Sequence, residues 1–184
     1  MSSPARAHYH PTLIALHWLT FLLLVAVYVC IEGREFFPRG SAPREAMKAW
    51  HFMLGLSVFA LVWLRLLLRA VYATPAITPP LPAWQTLLSR IVHGVLYLVM
   101  IGMPLGGWVM LSAAGKPIPF FGLELPALVG PDKALAKSVK EIHETIGTAA
   151  MWLIGLHALA AIYHHHISHD DTLVRMLPRR LRRS

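Results

Sequence analysis

Four apolar runs dominate the chain: roughly Leu13 to Ile31, His51 to Leu68, Ile91 to Leu111 and Ile146 to Ile167. Each is close to the ~20 residues that an α-helix needs to cross the hydrocarbon core of a bilayer. Peptide groups in hydrocarbon have no water to bond, so such segments cross as helices that satisfy their own backbone. The expected fold class is all-α, a transmembrane four-helix bundle in a single domain over residues 1–184. The expected spans are about 11–32, 49–70, 89–111 and 141–167. Composition agrees, at 56% hydrophobic and only 14% charged residues, so membrane lipid is the first expected partner. Only Arg6 precedes the first run and no small-x-small pattern follows it, so it is read as a retained span rather than a cleaved signal. A single cysteine rules out an internal disulfide.

Basic residues near the span ends bear on orientation. With the N-terminus in the cytoplasm, Arg6, Arg65, Arg69, Arg90, Arg175, Arg179, Arg180, Arg182 and Arg183 fall on the cytoplasmic side. Arg34, Arg39, Arg44, Lys48, Lys116, Lys133, Lys137 and Lys140 fall outside, together with seven of the nine carboxylates. That leaves a net +7 inside against +1 outside. Both termini are therefore expected in the cytoplasm.

Histidine is rare inside membrane spans and costly there without a partner, so its default meaning is functional. In the fourth span fourteen residues separate His143 from His157. At ~100° and ~1.5 Å per residue they share one helix face, roughly 21 Å apart. Between them that face carries Gly147, Ala150 and Ile154, two of them small enough to let a bulky planar group lie close. Gly55 lies one turn after His51, just as Gly147 lies one turn after His143. Alternating spans put His51 and His143 near the outer surface, and His17 and His157 towards the cytoplasm. Two bis-histidine sites follow, His51 with His143 and His17 with His157, stacking two b-type haems across the bilayer. No Cys-x-x-Cys-His motif is present, so the haems would be held without thioether links. With both axial positions filled, the expected chemistry is electron transfer.

Other polar residues carry two readings each. Arg65 and Arg69 are either interfacial anchors that snorkel to lipid phosphate or partners of a haem propionate, with Arg65 the deeper of the two. His93 is either a contact to a propionate or small substrate, or a ligand. His164 lies two turns beyond His157 on the same face and is a candidate contact near the inner haem. His8, His10, His165, His166 and His169 read as interfacial, and a zinc site built from the histidine run alone is weak because consecutive residues point to different helix faces. Trp152, nearly opposite His143, reads as lipid-facing. The connector from Thr74 to Pro82 is too proline-rich for helix. Loops are expected at Glu32 to Lys48 and at Ser112 to Lys140, the latter with a piece lying on the membrane surface. The basic tail from Arg175 reads as a contact to anionic lipid.

Several motifs together carry a family resemblance over nearly the whole chain: His17-Trp18, Phe36-Phe37-Pro38-Arg39, His51, Arg65-Leu-Leu-Leu-Arg69, His143-Glu144, Gly155-Leu156-His157, His164-His165 and Asp171-Thr172-Leu173 through Arg179. In these the sequence resembles the bacterial cytochrome b561 family, including the branch called superoxide oxidase. The resemblance implies a bacterial inner-membrane cytochrome with two haem b groups and ubiquinone as electron acceptor. For that branch it also implies oxidation of superoxide at the periplasmic face. Lys48, Lys116, Lys133, Lys137 and Lys140 would then give a positive field near the outer haem, or are simply a solvated face. His164, His93 and Arg65 are candidates for the quinone contact. Two other classes stay open: a cytochrome b anchor that passes electrons between a dehydrogenase or hydrogenase partner and quinone, and a membrane protein whose histidines hold zinc or copper.

Overall fold

The computed structural model describes residues 8–178. Four long helices make up most of it: α1 Pro11–Gly33, α2 Ala42–Val71, α3 Ala83–Ala113 and α4 Lys133–His166. All four are long and apolar enough to cross a membrane. Proline in the first turn starts α1 and α2, where its missing N–H costs nothing. Asp132 caps α4, its carboxylate accepting from the N–H groups of Ala134 and Leu135 at 2.9 and 3.0 Å.

Three helices begin before the apolar spans do. Helix α2 starts at Ala42 rather than near residue 49, α3 at Ala83 rather than 89, and α4 at Lys133 rather than 141. The 34 residues of α4 extend roughly 51 Å, against ~30 Å of hydrocarbon, so its first turns stand clear of the membrane. The loops expected at 32–48 and 112–140 are shortened accordingly. The first is reduced to a 3₁₀ turn, Arg34–Phe36, and the turn up to Ser41. The second holds a hairpin of β1 Ile118–Phe120 and β2 Leu123–Leu125. Its two turn residues, Phe121 and Gly122, both have positive φ (47° and 85°), the two-residue geometry whose twist suits a hairpin. The connector at 74–82 is not helical, as its prolines require.

Helix α1 packs on α2, α2 on α3 and α3 on α4. Helices α1 and α4 are bridged by Tyr28, whose hydroxyl donates to the Gly147 carbonyl at 2.8 Å. Val58, Val62 and Met100 form the buried centre of the α2–α3 contact, with Leu23, Leu24 and Tyr97 packed around them. Leu56, Leu111 and Ile118 fix the hairpin to the end of the bundle. Outward faces carry exposed Leu22, Val29, Leu67, Leu98, Trp152, Leu156 and Leu159, the surface a lipid-facing bundle needs. Trp152 lies on that surface, as expected from its position opposite His143.

The opposite end, where the described residues begin and end, is closed by the segment after α4. Asp171 and Thr78 bond each other twice, Asp171 N to Thr78 O at 3.1 Å and Thr78 N to the Asp171 carboxylate at 2.9 Å. Buried Arg175 donates to Pro75 O, and its guanidinium lies 5.5 Å from the Tyr9 ring. The Trp18 indole donates to Met176 O at 2.7 Å. Arg6 and the tail arginines from Arg179 onward lie outside the described residues.

Candidate haem and electron-transfer site

Only one residue of α4, Ala150, is buried, because the inner face of this helix opens onto a cavity. The cavity measures about 960 Å³, near the top of the range for ligand sites. Residues of all four helices line it continuously, from Lys48, Lys116 and Lys140 at the hairpin end to His17, Arg65, His93 and His157 at the other.

At the hairpin end His51 of α2 faces His143 of α4, with ring centroids 6.3 Å apart and planes at 73°. Deeper, His17 of α1 faces His157 of α4 at 6.4 Å and 75°. Two imidazoles in trans positions about one metal ion, at ~2.0–2.1 Å from each nitrogen, have centroids roughly 6.3 Å apart. Both pairs meet that spacing, on the same two levels of α4. The donor set is neutral nitrogen, the usual axial set of a b-type haem.

Local contacts orient these rings. His51 Nδ1 donates to Val27 O of α1 at 3.1 Å. A carbonyl only accepts, so the proton sits on Nδ1 and Nε2 keeps its lone pair for a metal. Glycine makes room for His143: a Cβ at Gly107 would come 3.4 Å from its Cε1, and one at Gly106 would come 3.8 Å from its Nδ1. Gly55 lines the cavity, and a Cβ there would meet nothing within 4 Å, so its small size leaves space beside His51. Gly147 also lines the cavity, but its open side meets Met103 at 3.4 Å.

His93 of α3 stands 5.2 Å from the His157 ring, too close for the two to be a trans pair about one ion. Its Nδ1 donates to Ser89 O at 2.6 Å, leaving the Nε2 lone pair. His164 does not line the cavity; its Nδ1 donates to Asp170 Oδ2 at 2.5 Å. Burial opposes ionisation of the Asp170 carboxyl, but hydrogen bonds from Thr172 and His164 outweigh it and hold its pKa below the ordinary value. Among the described residues, no three or more His, Cys, Asp or Glu side chains are grouped to hold a metal ion by themselves.

The hairpin-end mouth is strongly charged. Arg34, Arg39, Arg44, Lys48, Lys116, Lys137 and Lys140 line it, against Glu32, Glu35 and Glu144. Lys133 does not line it. Arg44 is buried and ties the turn together, donating to Arg34 O and Phe37 O at 3.0 Å and pairing with Glu35 at 2.7 Å. Lys140 pairs with Glu144 at 3.0 Å and Lys48 with Glu45 at 2.6 Å. Among the described residues, Arg39 and Lys116 form no ion pair. Nothing in the sequence separates Arg44 from the other outer bases. Tyr28, which bridges α1 and α4 between the two histidine levels, is likewise one tyrosine in an apolar run.

The sequence profile of the prokaryotic cytochrome b561 family matches residues 8–179. The chain is 38% identical over 169 residues to cytochrome b561 homolog 1 of Escherichia coli K12, covering 92% of this chain and 96% of that one. It is 36% identical over 167 residues to a Yersinia pestis protein named "Probable superoxide oxidase CybB", covering 91% and 94%. A second E. coli K12 relative, cytochrome b561 homolog 2, is 26% identical over 164 residues, 89% of this chain and 87% of that one. The chain belongs to the prokaryotic cytochrome b561 family, multi-pass membrane proteins that transfer electrons on haem b.

Proposed function

We propose that the chain binds two haem b groups, one between His51 and His143 and one between His17 and His157, and carries electrons from superoxide to ubiquinone. The observation that carries this reading is the pair of histidine sites with nearly equal ring separation, 6.3 and 6.4 Å, at two levels of one cavity. His51, His143, His17 and His157 would hold the haems, which would supply reversible one-electron transfer. The protein lies in the bacterial inner membrane with both termini in the cytoplasm and the hairpin at the periplasmic face.

The chain's own residues favour an anionic donor at the hairpin end. Seven cations line the mouth against Glu32, Glu35 and Glu144, and Glu45 and Glu141 pair with Lys48 and Lys137 from outside the lining, so the mouth keeps a small net positive charge. Such a cleft raises the local concentration of a small anion and speeds its encounter. Arg44, fully engaged, holds the turn that presents Arg34 and Arg39. At the other end His93 offers an acceptor nitrogen to the cavity beside His157, and Arg65 offers donors. The electron balance is two superoxide ions, each losing one electron to become O₂, for each ubiquinone that gains two electrons and two protons. The relative named as a probable superoxide oxidase supports this donor.

Pyridine-haem quantitation and a reduced-minus-oxidised spectrum of the purified protein test the haem count. Superoxide loss and ubiquinol formation, measured together, test the balance. Two haems per chain and two superoxide ions per quinol are expected. Two haems that are inert to superoxide but reduced by a co-purifying iron–sulfur subunit would make the chain a partner-fed anchor instead.

A further inference from the structure

We infer that Arg65 is the counter-cation for a carboxylate of the haem held between His17 and His157, and that its charge raises the reduction potential of that haem. The inference rests on the two-haem reading and adds a role that the histidines do not define.

Arg65 and Arg69 sit one turn apart on α2 yet have different surroundings. Arg69 is exposed and donates to the Tyr97 hydroxyl at 3.2 Å, as an interfacial anchor does. Arg65 instead lines the cavity with His17, His93 and His157. Its Cζ lies 5.9 Å from the Tyr97 ring centroid. Its Nε is buried with no hydrogen-bond partner among the described residues.

Arginine stays protonated in proteins, so the charge cannot be removed by deprotonation. A cation withdrawn from water is expensive unless an anion faces it. Among the described residues Arg65 forms no ion pair. Among the described residues the carboxylates at this end of the bundle are engaged elsewhere, Asp170 with His164 and Thr172, and Asp171 with Thr78 and Arg175. No described carboxylate faces Arg65, and that place is assigned to an anion that enters with the ligand. Haem b carries two carboxylates, and the planar guanidinium fork matches a carboxylate through two parallel hydrogen bonds. A fixed positive charge beside a redox centre favours the form that has gained an electron, so its removal lowers the potential.

Arg65→Gln and Arg65→Lys test this in the full-length holoprotein. Haem content is measured by pyridine haemochrome, and both midpoints by potentiometric titration. Repeating the titration in a His143→Ala background identifies the deeper haem. Arg65→Gln is expected either to lower the midpoint of the deeper haem and leave the other unchanged, or to lose one of two haems. Arg65→Lys, which keeps the charge, is expected to retain both haems and most of the potential. Unchanged haem content and midpoints in Arg65→Gln would overturn the inference. Equal damage from Gln and Lys would also overturn it, because packing rather than charge would then matter. A wild-type protein with fewer than two haems would instead sink the two-haem reading.

Discussion

Four histidines on three helices reach the cavity in two matched pairs, while a fifth, His93, stands against His157 at a distance unsuited to trans ligation. Substitution therefore has a different outcome at each position. His51→Ala or His143→Ala is expected to cut haem from two to one per chain, and His17→Ala or His157→Ala to remove the other. His93→Ala is expected to keep both; pyridine-haem stoichiometry reads all five variants. The pairs were legible because helical spacing alone puts His143 and His157 on one face, and alternating spans bring His51 and His17 to the same two levels. Arg65 was legible only as a choice between lipid anchor and carboxylate partner. Sequence gives the angle around a helix, but not which neighbouring helix encloses that angle. The same limit hid Tyr28 and Arg44, whose roles depend on the carbonyls of Gly147, Arg34 and Phe37.

At the scale of elements, the segment after α4 is held by paired polar contacts rather than by a core. Asp170 accepts from His164 and from Thr172 N at 2.8 Å, fixing the reversal after His166. Its folded-state pKa is depressed, so its contribution to stability is fully present above the ordinary aspartate value and is lost as pH falls through the lowered one. Asp170→Asn removes a buried acceptor and is expected to cost about 1–3 kcal/mol at neutral pH. Wild type and variant should converge as the medium is acidified below the ordinary aspartate range. Thermal unfolding of the detergent-solubilised protein against pH checks both statements, and a difference independent of pH would contradict the second. Apolar length revealed the four spans because hydrocarbon thickness sets it. It did not reveal where α2 and α4 begin, because a helix continues past the membrane wherever its peptide bonds and cap allow. The Asp132 cap was present in the sequence, but it lies within a stretch too polar to register as a span. The hairpin was hidden because its turn places Phe121, not a second glycine, at positive φ.

Across the whole molecule, charge and cavity run along one axis, from a cationic mouth at the hairpin end to the histidine–arginine cluster at the other. The outer bases were visible in the sequence, but their convergence was not, since it requires the turn after α1 and the first turns of α2 and α4 to meet. Among the described residues Arg39 and Lys116 lie at that mouth without ion pairs, so reversing both to glutamate should leave the haem spectrum intact. The same change should slow reduction by superoxide about 10-fold at low salt. The difference should shrink as ionic strength brings the Debye length to ~8 Å and below. Stopped-flow mixing of superoxide with the oxidised holoprotein, with and without ubiquinone, tests the central claim most directly. Rapid reduction of both haems, followed by reoxidation only when ubiquinone is present, is the predicted result. Haems that stay oxidised while superoxide decays at its spontaneous rate would contradict the account.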